Sequence, residues 1–153
     1  MQHAGLEAAK LHYTDMQNTK LLGAHLQNAD LRGADLRGTY LKRADLQYAK
    51  LQRATLKGAN LQYTDLRDAD LQDANLQGTD IRWAFGNGKR IKTIDGHYRI
   101  VIMLEYGIMA IGCEQHSIDE WMNFSDEEID KMHTDALHWW KVWKPRIQQL
   151  IAG

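Results

Sequence analysis

The sequence is short of most things that fix a small fold or betray a chemistry. It has one cysteine, Cys113, so no disulfide can form within the chain, and a reducing compartment is the natural setting. It has one proline, Pro145, which tells against a disordered chain. The formal net charge of −1 gives no bulk attraction to nucleic acid or to an anionic membrane. The longest apolar run, Ile100–Leu104, falls far short of the roughly 18 residues that span a bilayer. The first ten residues, MQHAGLEAAK, lack the apolar segment of a secretory signal. These absences lead us to expect a cytoplasmic protein that does not enter membranes. Gly86-Asn87-Gly88 lacks both the spacing and the following helix of a phosphate-binding loop.

What the sequence has instead is a period of five. Large apolar residues recur from Leu6 to Ile81 at sixteen positions, fourteen of them Leu and the others Met16 and Ile81. Two residues before each stands a small residue, Ala at eleven sites and Thr at five (Thr14, Thr19, Thr39, Thr64, Thr79). A period of five fits neither the helix nor the strand. It fits a chain that turns a corner every five residues, with the large and the small residue both pointing inward so that successive layers interlock. The residue two after each large one sits at the corner. It is Gly or Asn in seven pentads (Asn18, Gly23, Asn28, Gly33, Gly38, Gly58, Gly78), which supply cheaply the positive φ of a type II turn. Asp or Asn precedes nine of the sixteen central residues, and its expected role is hydrogen bonding to backbone and water.

Pentads such as Ala34-Asp35-Leu36-Arg37-Gly38 and Ala69-Asp70-Leu71-Gln72-Asp73 resemble those of the pentapeptide-repeat family. The resemblance covers residues 4–83. It implies a mainly β fold, a right-handed quadrilateral β-helix of four coils with four pentapeptides each. At about 4.8 Å per coil the rod would stand about 19 Å tall. We divide the chain into a β-helix over 1–85 and a small α+β domain over 86–153 that caps the rod.

Beyond Ile81 the period stops, and Gly86-Asn87-Gly88 marks a boundary. Strands over 90–94 and 97–104 flank Asp95-Gly96, read as a two-residue hairpin, with Tyr98, Ile100, Ile102 and Leu104 on one face. Residues 108–113 read as a third strand. Ser117-Ile118-Asp119-Glu120 and Ser125-Asp126-Glu127-Glu128 are capping boxes that start helices. Ile129, Met132, Ala136, Trp140, Trp143, Ile147 and Leu150 form an apolar stripe, which Pro145 should kink or restart. The expected cap is a β-meander followed by two or three short helices. Residues 112–129, GCEQHSIDEWMNFSDEEI, loosely resemble the tails of phage and prophage pentapeptide-repeat proteins.

Cys113 and His116 have metal-ligand spacing, but a closed zinc site needs four ligands, and His97, His133 or His138 would have to complete it. The plainer reading is a buried cysteine ending a strand and a histidine packing on Trp121. A Cys113–His116 nucleophilic pair would need a pocket and an oxyanion site, and neither is signalled. We therefore expect no metal, no cofactor and no enzymatic activity.

The expected function is a protein-binding module, in a finer reading a phage- or prophage-encoded inhibitor of a host protein. The resemblance also implies an alternative, a DNA-mimic inhibitor of gyrase or another DNA-binding enzyme. Charge opposes it. Residues 1–85 carry eleven Lys plus Arg and ten Asp plus Glu. A duplex mimic about 19 Å tall needs about eleven net negative charges.

Four pentads per coil let charge be summed by side. The side of Leu6, Leu26, Leu46 and Leu66 sets Glu7, Asp45, Asp65 and Asp68 against Arg67, a net of −3. The side of Leu21, Leu41, Leu61 and Ile81 sets Lys20, Lys42, Arg43 and Arg82 against Asp80, a net of +3, and adds Leu22, Tyr40, Tyr63 and Trp83 at outward positions. Basic charge interleaved with aromatics suits an acidic protein surface or single-stranded nucleic acid. With the chain's overall charge near zero, direct nucleic-acid binding is not expected, and Lys20, Tyr40, Lys42, Arg43, Tyr63, Arg82 and Trp83 are the candidate partner contacts. The plain alternative is that they are solvated, or that Trp83 packs under the tail. Trp139 lies about 100° off the apolar stripe and is the candidate dimer or partner contact in the tail. A homodimer is expected, through the tail or through the open first coil.

The repeat makes one direct prediction. Leu46→Asp puts an unpaired carboxylate in the stacked core at a cost of several kcal/mol. Thermal melting should show the rod unfolded, and a wild-type melting temperature contradicts the inward assignment.

Overall fold

The computed structural model describes residues 3–87 and 91–152. Gly88 of the boundary triplet and Arg90, the expected start of the first tail strand, lie outside the described residues. The repeat region is tied together by single-residue parallel bridges twenty residues apart, from Gly5↔His25 to Asp65↔Phe85. Twenty residues hold four pentads, so residues one coil apart stack in columns and Leu6, Leu26, Leu46 and Leu66 share one. The residue before each central one is the strand. Tyr40, for example, donates its N–H to the Thr19 carbonyl at 2.9 Å and accepts from the Leu21 N–H at 2.9 Å.

Each pentad then turns. The N–H of the small residue donates back to the carbonyl of the central residue three before it, as from Ala24 to Leu21 at 3.1 Å, in all sixteen pentads. The corner residue has positive φ in every pentad, from 54° at Ala8 to 68° at Gly58. From Leu21 onward every central residue is buried, whereas Leu6, Leu11 and Met16 at the first coil are half-buried. The inward threonines close their hydroxyls on main-chain carbonyls, Thr39 on Leu36 at 2.7 Å and Thr64 on Leu41 at 2.8 Å, so burying them orphans no polar atom.

The tail is a four-stranded antiparallel meander, β1 (Lys92–Ile94), β2 (Ile100–Met103), β3 (Ile108–Ile111) and β4 (Glu114–Ser117), followed by α1 (Ile118–Asn123), α2 (Asp126–Met132) and α3 (Ala136–Ala152). The sheet is covered on both faces. Val101, Met103, Ala110 and Ile91 join the core of the rod. Ile100, Ile102, Met109 and Ile111 pack with Trp121, Ile129, Trp140 and Ile147 from the helices. Both capping boxes are present, at Ser117 with Glu120 and Ser125 with Glu128.

Four details of the tail depart from the sequence reading. β4 is a strand that the sequence pattern does not mark, because EQHS carries no apolar alternation. The first hairpin pairs Ile94 with Ile100, so its connection runs over residues 95–99 rather than two residues, and the second strand is shorter than 97–104. Pro145 does not restart α3, which runs unbroken from Ala136 to Ala152; the residue is exposed, and Trp140 and Ile147 on either side of it are buried. Cys113 is exposed, not buried.

The tail also supplies hydrogen-bond partners to the last coil, at least one in each column. Where a fifth coil would supply a peptide group, the Gln115 amide donates to the Thr79 carbonyl at 2.7 Å and accepts from the Ile81 N–H at 2.9 Å. The equivalent carbonyls of the other three columns accept from Asn87 Nδ2 (Ala69, 3.1 Å), the Tyr106 hydroxyl (Ala74) and Thr93 Oγ1 (Ala84, 3.4 Å). Gly86 lets the chain leave the rod, since a Cβ there would lie 2.0 Å from the Ile91 carbonyl oxygen. Gln115→Ala leaves a donor and an acceptor unpaired at a half-buried edge and should cost about 1–3 kcal/mol. Urea unfolding measures it. A loss below about 0.5 kcal/mol contradicts the capping role.

Candidate protein-interaction face

The twenty-residue register brings all seven predicted rod residues onto one face, three columns wide. The columns are Lys20–Tyr40–Asn60–Asp80, Leu22–Lys42–Gln62–Arg82 and Gly23–Arg43–Tyr63–Trp83. The third is a ladder of rings and cations. Tyr63 and Trp83 stack with ring centroids 6.0 Å apart and planes 3° from parallel. Lys42 Nζ lies 5.6 Å and Arg43 Cζ 5.8 Å from the Tyr63 centroid. Beside it, Lys20, Leu22, Tyr40, Lys42 and Asn60 line a depression of about 150 Å³.

Arg82 is less free than its charge suggests. It makes a two-pronged bond to Asp80 at 2.9 and 2.6 Å and donates to the Cys113 carbonyl at 2.9 Å, so it ties the face to the tail. Trp83 is half-buried, and its carbonyl accepts from Arg99 at 3.2 Å. Among the described residues, the cations without a carboxylate partner on this face are Lys20, Lys42 and Arg43.

The corner column carries strain. Arg43, Tyr63 and Trp83 hold φ of 60°, 57° and 63°, where a side chain costs about 1–2 kcal/mol. Seven corners have neither Gly, Asn nor Asp (Ala8, Tyr13, Arg43, Tyr48, Arg53, Tyr63, Trp83), and three of them stack here. Ring stacking and cation–π contact return part of that cost.

Elsewhere on the rod several charges cancel locally. Arg32, Arg37 and Arg67 each bind the aspartate two residues earlier at 2.6 Å. The Arg32 guanidinium holds Asp30 well below the usual carboxylate range, and Arg37 lowers Asp35 in the same way.

The tail residues are placed differently. Trp139 is half-covered, edge-on to Tyr98 at 5.2 Å and stacked on Trp143 at 5.6 Å. It lines a cavity of about 50 Å³ with Tyr98, Cys113, Trp121 and His133. His116 packs edge-on against Trp121 and Phe124 at 5.2 and 4.9 Å. Among the described residues no three His, Cys, Asp or Glu side chains are grouped to hold a metal ion, and no helix is long and apolar enough to cross a membrane. Asn60 takes the hydrogen-bonding role expected of Asp and Asn before a central residue; that Lys20 and Tyr40 leave the equivalent backbone donors beside it unclaimed is not signalled by a sum of charges.

The chain matches the family described as pentapeptide repeats, in eight copies over residues 9–47, 20–58 and 49–85. That is half of its length, and the protein belongs to this family. Pentapeptide repeat proteins are generally non-catalytic modules that contact other proteins. Among solved structures it is similar to a pentapeptide repeat protein from the Arabidopsis thaliana thylakoid lumen, with 27% identity over 52% of this chain and 56% of that one and a TM-score of 0.52. HetL, a pentapeptide repeat protein involved in heterocyst differentiation regulation from Nostoc sp. strain PCC 7120, matches at 29% identity over 56% of this chain and 46% of that one, with a TM-score of 0.25. A further pentapeptide repeat protein from Nostoc PCC 7120 matches at 39% identity over 50% of this chain and 60% of that one, with a TM-score of 0.25. Each match spans less than two thirds of the other protein. No curated protein matches the chain.

If ring and cation contacts offset the corner strain, two glycine substitutions should differ. Arg53→Gly, at an exposed corner without a ring contact, should stabilise the rod by about 1 kcal/mol. Tyr63→Gly, which forfeits the Trp83 stack and both cations, should gain nothing or destabilise. Equal gains in thermal denaturation contradict the offset.

Proposed function

We propose that the protein is a non-enzymatic binding module that meets its partner, another protein, through Lys20, Tyr40, Lys42, Arg43, Tyr63 and Trp83, with Arg82 bracing the face. The observation that carries this is the Arg43–Tyr63–Trp83 column. Bulky residues occupy corners where glycine relieves strain, and strain of this kind concentrates at functional sites. Arginine and aromatic side chains are also the residues that carry most binding energy at interfaces.

In this reading the rod is four-sided and right-handed, residues 86–153 act as a separate capping unit, and the protein works in the cytoplasm. The role of phage- or prophage-encoded inhibitor rests on the resemblance of residues 112–129. The duplex-mimic alternative finds less support. It needs uncompensated carboxylates along the rod, and Asp30, Asp35, Asp65 and Asp80 are each paired with an arginine. A homodimer is part of the proposal. The half-covered Trp139 offers less free surface than the sequence suggested, and the half-buried Leu6, Leu11 and Met16 of the first coil are the other candidate contact.

The test begins with a pull-down and mass spectrometry to identify the partner. Lys42→Glu with Arg43→Glu should then weaken binding by at least about tenfold, while Asp45→Lys on the acidic side leaves it nearly unchanged. Loss of the partner in Asp45→Lys alone, or in neither variant, removes the basic face as the site.

A further inference from the structure

Every pentad leaves one backbone N–H out of the coil-to-coil ladder, that of the residue just after the central one. In nine pentads the Asp or Asn just before the central residue accepts it, at 3.0–3.3 Å. On the basic face this holds for the lower two coils, where Asn60 takes the Gln62 N–H at 3.0 Å and Asp80 takes the Arg82 N–H at 3.2 Å. In the upper two, Lys20 and Tyr40 stand where the acceptor would be. The N–H groups of Leu22 and Lys42 have no acceptor among the described residues. Both residues line the depression of about 150 Å³ together with Lys20, Tyr40 and Asn60.

Gly5 and His25 vacate the same position on consecutive coils, but theirs is the side with a net charge of −3. Lys10 and Lys50 are separated by Asp30, which fills its own position. The basic face alone combines two stacked, unclaimed donors with nearby ammonium groups.

We propose that these two positions are carboxylate seats. A partner's Asp or Glu oxygens accept from the Leu22 and Lys42 N–H groups as the chain's own aspartates do in other pentads, and the Lys20 and Lys42 ammonium groups supply the counter-charge. This deepens the reading of the face given above and rests on it. The seats are one coil apart, about 4.8 Å. Carboxylate-bearing residues four apart on a helix have β-carbons about 5–6 Å apart. The occupant is therefore an acidic helix of the partner laid along the rod, with Glu or Asp at positions i and i+4.

The probe is a blocked, alanine-based helical peptide with two Glu four residues apart, titrated into the ¹⁵N-labelled full chain. The amide resonances of Leu22 and Lys42 should move downfield together, and the same peptide with Gln for Glu should leave them in place. Tyr40→Asn supplies the seat's own acceptor without changing charge, as Asn60 does one coil below. It should weaken peptide binding by about tenfold, the worth of one charge-assisted hydrogen bond. Tyr40→Ala loses the same ring but leaves the seat open, so it should weaken binding less than Tyr40→Asn does. Unmoved amides, equal shifts with the Gln peptide, or full binding by Tyr40→Asn overturn the proposal. If the identified partner is lost on charge reversal at Lys42 and Arg43 but retained by Tyr40→Asn, the face stands and the seats fall. If charge reversal has no effect either, the reading of the face falls as well.

Discussion

A coil of this rod has almost no hydrogen bonds of its own beyond those that close its turns. The strand residue of each pentad pairs only with the coil before and the coil after, so every coil borrows its order from its neighbours and both ends of the stack are open accounts. At the C-terminal end the tail closes them. Its sheet lays Val101, Met103 and Ala110 against the leucine core, and one side chain serves each column, Asn87, Tyr106, Gln115 and Thr93. Gln115 reproduces a peptide group of the absent coil, one donor and one acceptor. The helices pack on the opposite face of the sheet, against Ile100, Ile102, Met109 and Ile111.

The same constraint explains why the outer surface can vary. With the central and small residues committed to the core and the backbone to the ladder, three outward positions per pentad are left to composition. One must accept positive φ, which glycine does at least cost, and one decides whether the stray N–H of the next turn is claimed by an Asp or Asn. Both choices favour stability in six pentads, those centred on Met16, Leu31, Leu36, Leu66, Leu71 and Leu76. On the basic face they go the other way, with bulky residues at three strained corners and Lys20 and Tyr40 in place of acceptors. Both concessions also meet at Lys10 with Tyr13 and at Lys50 with Arg53; the basic face adds the Tyr63–Trp83 stack and vacant acceptor positions on consecutive coils, which is why we propose it as the working surface.

Much of this was legible in the residues. The leucine and alanine period defines the inward columns, and the role expected of Asp and Asn is met in all nine pentads that have them. The basic face follows from summing charges at a step of twenty. Serine and glutamate three apart located both helix starts. What could not be read depends on contacts between distant segments. β4 is a polar strand held by pairing with β3 and by Gln115 reaching the last coil, a partner 34 to 36 residues earlier. Cys113 follows a buried strand yet faces solvent, because the turn at Gly112, with φ of 58°, swings it outward. Arg82 adds to the charge of the basic side, but its bonds to Asp80 and to the Cys113 carbonyl, 31 residues away, tie it down.

The central claim is that coils and cap are one cooperative stack that weakens toward the first coil, where Leu6, Leu11 and Met16 are only half-buried. Residue-resolved amide hydrogen exchange under native conditions tests it directly, since exchange reports the free energy of opening at each hydrogen bond. The account predicts one plateau of protection from the second coil through β2 and β3, with the amides of the first coil, Leu6 to Thr19, exchanging fastest within the rod. A tail that opens well below that plateau, or a last coil that exchanges as readily as the first, contradicts it.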